Sequence, residues 1–364
     1  MTLKIKLFAL LITAILIGAA CIKAPREAAN TTAGGNNSVA AKDPNRKIKI
    51  GFSMDTVQEE RWQRDKALFE KRCQELNIEC FVTVADEKAD KQANDVDNLL
   101  TKGIDVLVIA PNNATQAATM VAKAKAQGVP VVSYDRLVKS DEIDIYVAHH
   151  PPLIGKKIAE YALAKVPKGN YIMVYGDSND NNAVIWQQVE KEVLQPAIDR
   201  GDVKIVAEQN AKGWQPEEAL KIVENALTQS NNTVVAVVAS NDGTAGGAIQ
   251  ALAAQGLTGK VIVTGQDAEL PAMQHIAEGK QSMTIYKPIQ PLVVAAIDAA
   301  LKLARGETVA ANDKILAVNR EVPAVYIDIQ VIEKSNLMDV IKDGYHRYED
   351  VFKNIPETER PPKP

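Results

Sequence analysis

The chain has 364 residues, 46% hydrophobic and 24% charged, the proportions of a water-folded protein with room for two cores. A disulfide-held miniprotein, a wholly disordered chain and a many-span membrane protein are excluded. With 42 Lys and Arg against 46 Asp and Glu, there is no bulk basic surface for a phosphate backbone, so nucleic acid is not expected as a partner.

At the amino terminus, Lys4 and Lys6 precede an apolar run over 7–17, then Gly18, Ala19, Ala20 and Cys21. This is a secretory signal pattern, too short to span a bilayer comfortably. The small residues before Cys21 match a lipoprotein cleavage site except at Gly18, where leucine is usual. Lipidation of Cys21 is therefore expected in preference to ordinary cleavage near Ala20, with residues 1–20 as signal peptide. Residues 22–46 hold almost no large apolar side chain and cannot offset their ordering entropy by burial. They read as a flexible linker spanning roughly 25–30 Å on average, and place the body at the outer face of a membrane or in a periplasm.

From residue 47, short β-branched runs alternate with amphipathic stretches. Strands are predicted over 48–53, 80–84, 104–109, 129–134 and 143–147, with helices over 58–76, 91–101 and 115–127 between them. The grammar restarts with strands over 171–175, 203–207, 234–239, 261–265 and 283–286 and helices over 183–199, 216–228, 243–254, 270–278 and 291–305. Strands apolar almost throughout suit parallel sheets covered on both faces, so the fold class is α/β with two doubly wound lobes. A last strand over 324–331 comes too late to begin a third domain and should cross back to one of the two sheets.

Such sheets present ligands at the carboxyl ends of their strands. Those positions read Met54-Asp55, Tyr134-Asp135-Arg136, Gly176 through Asn182, Ser240-Asn241-Asp242, Gly265-Gln266-Asp267 and Tyr286-Lys287. They are rich in planar, multidentate groups and lack a nucleophile beside a base, which suits neutral polyols. Arg61 and Trp62 open the first long helix and fit either a cleft contact or a core indole beside a solvated charge. Trp214, in a loop beside Gly213 and Pro216, reads as a contact surface, and Trp186, inside a helix, as core. The run Asp177-x-Asn179-x-Asn181 begins like a calcium loop but has Asn182 at the sixth position and Gln188 at the twelfth. His149-His150 lacks metal-ligand spacing, so no metal is expected. Neither dinucleotide nor nucleotide phosphate loop follows any strand, and no cofactor is expected. Cys73 and Cys80 could pair outside the cytoplasm, but buried free thiols are the expectation.

Glu60-Arg61-Trp62-Gln63, Asp105 through Ile109, Tyr134-Asp135-Arg136, Asp180-Asn181-Asn182-Ala183, Gly213-Trp214, Ala239 through Asp242, Thr244 through Gln250, Gly265 through Ala268, Tyr286-Lys287-Pro288 and Ile341 through Gly344 together resemble the periplasmic D-xylose-binding proteins. The resemblance runs from about residue 47 to about 346. It implies a type I periplasmic binding protein, with two Rossmann-like lobes joined by a three-crossing hinge, that delivers D-xylose or a closely related pyranose to the permease of an ABC importer. Carried over by position, it makes Arg61, Arg136, Asp180, Asn182, Asn241, Asp267 and Lys287 the hydrogen-bonding set, with Trp62 and Trp214 stacking on the sugar. It implies lobes of 47–149 with 286–322 and 150–285 with 323–350, followed by a polar tail over 351–364. His149-His150 stands where the family usually has an Asp-Asn pair. Two rival readings are a sensor subunit presenting its closed form to a membrane kinase, and a sugar-processing enzyme using Asp180 and Asp267 as acid and base. The second is disfavoured, since a cation beside each carboxylate keeps it ionised.

Overall fold

The computed structural model describes residues 46–363, so the expected signal peptide, Cys21 and linker lie outside the described residues. The first half alternates β1 (Lys49–Met54), α1 (Glu60–Glu75), β2 (Glu79–Val84), α2 (Ala89–Thr101), β3 (Val106–Ile109), α3 (Ala117–Ala126), β4 (Val131–Tyr134) and β5 (Ile145–His149). The second continues through α4 (Pro151–Lys165), β6 (Gly169–Tyr175), α5 (Asn181–Asp199), β7 (Val203–Asn210), α6 (Pro216–Gln229), β8 (Val234–Ala239), α7 (Asp242–Ala254), β9 (Ile262–Val263), α8 (Leu270–Ala277) and β10 (Thr284–Tyr286). The chain then adds α9 (Ile289–Ala304), β11 (Asp313–Leu316), β12 (Glu321–Ile327), β13 (Gln330–Ile332), α10 (Met338–Lys342) and α11 (Tyr348–Val351).

Seven strands form the first sheet in the order β11-β12-β5-β4-β3-β1-β2. It is parallel except at β11, which runs antiparallel to β12. Every residue of β3 is buried: Val106 and Val108 face a core closed by α1 and α9, Leu107 and Ile109 one closed by α2 and α3. Two covered faces require side chains that are apolar at every position, which is why these strands show no polar alternation. The second sheet, β7-β6-β8-β9, is likewise covered on both faces. β10 lies beside its β9 edge, where Ile285 donates to the Gly265 carbonyl and Asp267 to that of Ile285.

Three crossings join the lobes: His149-His150 between β5 and α4, Lys287-Pro288 between β10 and α9, and Asp328-Ile329 between β12 and β13. The strand expected over 324–331 is therefore two strands. β12 pairs in parallel with β5 of the first sheet, and β13 pairs antiparallel with β10. The expected lobe boundary after residue 322 falls inside β12, because its pairing with β5 continues to Ile327. The expected polar tail also begins with Val351 and Phe352, both buried against α8.

Two further differences have local causes. Helix α4 has no counterpart in the sequence reading, since Pro151-Pro152 looks like a breaker. Both prolines stand in the first turn, where a missing N–H costs nothing, and the His150 ring caps the helix by accepting from the Leu153 amide. Cys73 and Cys80 form a disulfide, contrary to the expected free thiols. A turn through Asn77 in the left-handed region brings the end of α1 back onto the start of β2, with a Cα separation of 6.2 Å, within bridging reach.

Candidate functional site

Between the lobes, at the carboxyl ends of the strands, lies a chamber with about 280 Å³ of space. Its walls combine Arg61, Trp62, Arg136, Asp180, Trp214, Asn241, Asp267 and Lys287, all singled out from the sequence, with Glu59, Asp135, Trp186 and Gln266. Asn182 does not line it. Its amide donates to the Asp135 carbonyl at 2.9 Å and its Oδ1 accepts from Tyr146 at 3.2 Å, so it ties the lobes together behind the chamber.

The first lobe supplies a chain of ion pairs. Arg61, in the first turn of α1, reaches Asp135 at 2.8 Å and Asp65, one turn along, at 3.3 Å. Arg136, after β4, donates to Asp55 at 2.6 Å and pairs with Asp180 of the second lobe at 2.9 Å. At the second crossing, Lys287 holds Asp267 at 2.8 Å. All these groups are buried, where a paired charge is tolerated and an unpaired one is costly. Burial alone would raise the Asp135 carboxyl, but Arg61, Lys287 and His149 hold it well below the usual carboxylate range. Burial pushes Asp180 up to about 6 against the pull of Arg136, leaving it ionised at neutral pH.

The second lobe presents aromatic faces and amide groups. Trp214 and Trp186 meet edge to face with centroids 5.9 Å apart. The Trp214 ring lies directly on Gly176, where any Cβ would collide with it. Trp186 belongs to the second core, as its helical position suggests, but its indole also reaches the chamber. Asn241 caps α7 by accepting from the Thr244 amide at 2.9 Å, which leaves its NH₂ to offer a ligand. The guanidinium carbons of Arg61 and Arg136 sit 4.2 and 5.1 Å from the Trp62 ring centroid. Asp135, Trp214 and Asp267 all have positive φ, a cost that non-glycine residues bear where the surrounding structure fixes them for a purpose.

The lobes are closed on one another. Gln215 donates to Gln58 at 2.9 Å, the Leu270 amide to Glu60 at 2.8 Å, and Asn113 to Asn179 at 2.8 Å. His149 is buried beside the chamber, 3.2 Å from the Pro288 carbonyl through Nε2, so it links the first crossing to the second. Burial keeps its pKa low. Asp177, the start of the calcium-like run, spends its carboxylate on the Asn179 and Gly213 amides. Among the described residues, no cluster of three His, Cys, Asp or Glu side chains could hold a metal ion.

A wider groove, with about 1910 Å³ of space, opens beside the second and third crossings. Several of its polar groups are engaged with one another: Tyr286 with Asp343, Gln330 with Asp339, Arg64 with Glu60. The small chamber is the better candidate because its donors and acceptors converge on one space.

Sequence reasoning missed Glu59, although Glu60 beside it was part of the quoted motif. An acidic residue at a helix start reads first as complementing the helix dipole. Asp135 and Gln266 were visible at strand ends but not selected.

A model of the periplasmic binding protein domain matches residues 50–308. The D-xylose-binding periplasmic protein of Escherichia coli is 42% identical over 303 residues, covering 83% of this chain and 92% of that protein. Its namesake in Haemophilus influenzae is 41% identical over 318 residues, covering 87% and 95%. A carbohydrate transporter solute-binding protein from Chloroflexus aurantiacus, solved with D-glucose, superposes with a TM-score of 0.79 at 29% identity, covering 84% of this chain and 98% of that one. Two mainly parallel sheets, three crossings between them and a small polar chamber at their strand ends agree with these likenesses: the chain belongs to the periplasmic binding protein domain family, with the type I fold.

Proposed function

We propose that this protein is an extracytoplasmic receptor that captures D-xylose as a pyranose between its lobes and hands it to the permease of an ABC importer. The observation that carries the reading is the chamber itself: small, closed, and lined by ion-paired Arg, Asp and Lys groups on one side and two indoles on the other. A carboxylate or guanidinium can engage two sugar hydroxyls at once, and an indole covers the apolar face of the ring. In the closed cleft these hydrogen bonds count for more than in water. Arg61, Arg136, Asp180, Asn241, Asp267 and Lys287 serve as sugar contacts, Trp62 and Trp214 as ring contacts with Trp186 behind Trp214, and Asn182 as a closing contact. The sugar favours the closed state because it touches both lobes. The likeness to xylose-binding relatives supports the choice of sugar.

Turnover is not part of this reading. Asp180 and Asp267, the pair an enzyme would use, are each engaged by a cation at 2.9 and 2.8 Å, and the relatives this chain resembles are solute-binding proteins. In this reading Cys21 carries lipid and the linker holds the receptor near its permease, raising the local concentration. Cys21→Ala should release the protein from the membrane fraction with its affinity unchanged.

Calorimetric titration of the purified protein with D-xylose, D-glucose, L-arabinose and D-ribose tests the assignment. Xylose should bind tightest and shift the indole fluorescence. Failure to bind any pentose would refute it.

A further inference from the structure

Glu59 lies in the chamber wall, and nothing above gives it a task. It stands at the N-cap of α1 yet makes no capping bond, and its Oε2 is buried without a partner. Glu269, at the N-cap of α8 in the other lobe, repeats the pattern: no capping bond, and a buried Oε1 without a partner. Two carboxyl groups from opposite lobes thus lie within electrostatic reach of each other, Glu59 in the chamber wall and Glu269 behind it, each with an oxygen that no protein donor satisfies. An ionised carboxylate is poorly tolerated there, whereas a neutral carboxylic acid is itself a donor.

The surroundings favour the neutral form. Around Glu59 stand Asp55 after β1, Arg136 after β4, Asp267 after β9, and Glu60 and Arg61 on its own helix, and on its other side it shares a pocket with Glu87 after β2, Asp177 and Asp180 after β6, and the exposed Lys212. Glu269 feels its charge from across the cleft. Each cation of the chamber wall is already committed: Arg61 to Asp65 and Asp135, Arg136 to Asp55 and Asp180, Lys287 to Asp267. Glu59 is the carboxyl left over in a wall of four acids and three bases. Burial pushes it up to about 7, Arg136 recovering only part of the rise and Asp267 and Asp55 adding to it. Burial first, then Asp242, Asp267, Glu59 and Glu60, lift Glu269 well above the usual range.

We propose that Glu59 is a further ligand contact that works as a neutral acid, donating its carboxyl hydrogen to a hydroxyl oxygen of the bound sugar, so that closure of the cleft takes up a proton. This rests on the reading of the chamber as a sugar site. In an open cleft Glu59 returns to water and to an ordinary glutamate pKa, about 4.3. Its pKa is then higher closed than open. Affinity is greatest where both forms are protonated, falls as pH rises between those two values, and levels off above about 7. From pH 5.5 to 7.5 the loss is on the order of tenfold. A carboxylic acid also offers both donor and acceptor, as a sugar hydroxyl does, and so adds to the discrimination between stereoisomers.

Calorimetry with D-xylose at pH 5.5, 6.5 and 7.5, each in two buffers of different ionisation enthalpy, reads both affinity and proton uptake. The parent should lose about tenfold in affinity across that range and take up protons on binding at pH 5.5 and 6.5. Glu59→Gln, nearly isosteric and a donor at every pH, should take up fewer protons than the parent and lose most of its slope, and Glu59→Gln combined with Glu269→Gln should remove what Glu269, lifted in the same closed cleft, adds. A flat parent profile without uptake, or a slope and an uptake that Glu59→Gln leaves unchanged, overturns the proposal. Absence of binding to any of the four sugars at all three pH values overturns the sugar reading and this inference with it, whereas pH-independent binding overturns the proton step alone.

Discussion

The two lobes build their halves of the chamber differently. On the first-lobe side the charges, Glu59 apart, are matched before any ligand arrives: Arg61 lies between Asp65 and Asp135, and Arg136 on Asp55. On the second-lobe side Trp186 Nε1, Trp214 Nε1 and Gln266 Oε1 are buried without partners. A pre-paired network holds its side chains in place and needs no rearrangement to receive a hydroxyl. Unpartnered donors and acceptors leave a penalty that a ligand can remove. One lobe therefore supplies geometry and the other supplies unmet demand, and closure joins them.

If this contrast holds, damage to the first lobe should register as lost folding stability, and damage to the second as lost affinity. The largest effect is expected from Asp135→Ala, which leaves Arg61 buried without its nearest counter-charge. It should cost about 3–5 kcal/mol of stability in urea denaturation; a loss below about 1 kcal/mol would show the network to be dispensable. The depressed Asp135 carboxyl should also stabilise the parent fully above the ordinary carboxylate value near pH 4 and lose that contribution as pH falls through its lower folded value. Asp135→Asn should lack this acid limb.

Next, Trp214→Ala should weaken xylose binding by about 1–3 kcal/mol in calorimetry while the first lobe keeps its stability. Unchanged affinity would remove the indole from the site. Replacing Cys73 and Cys80 together by Ser should cost about 2 kcal/mol of stability and leave affinity alone, since the bridge lies about 16 Å along α1 from the chamber. The smallest effect belongs to Gln215→Ala, which removes the exposed interlobe hydrogen bonds to Gln58 and Glu87. A fall in affinity of less than about 1 kcal/mol is expected, and a larger one would make the cleft rim a determinant of closure.

Much of this was legible in the sequence, and the exceptions are instructive. Apolar runs such as Val106–Ile109 declare a doubly covered strand, and polar residues directly after such runs mark the cleft whatever the ligand. Trp186 was harder: helical spacing reports that one side of a ring is buried, and is silent on whether another side reaches a cavity. Glu59 gave no signal, because its significance depends on Glu269, 210 residues away in the chain, arriving from the other lobe. The Cys73–Cys80 bridge turned on a single left-handed residue, Asn77, which spacing alone does not reveal. The division of 324–331 into two strands depends on which sheet has an open edge, a property of the assembled fold.

The passage from β12 to β13 through Asp328-Ile329 bears on how the chain is made. The first sheet holds β12 between β5 and β11, and β10 lacks its partner until β13 arrives. Neither lobe is continuous in sequence, so neither can finish folding while residues beyond 320 are still on the ribosome or inside a translocation channel. Long-range strand pairing of this kind is slow to form. For a protein read as destined for export, that delay keeps the chain threadable for most of its synthesis, and only a full-length molecule can lock.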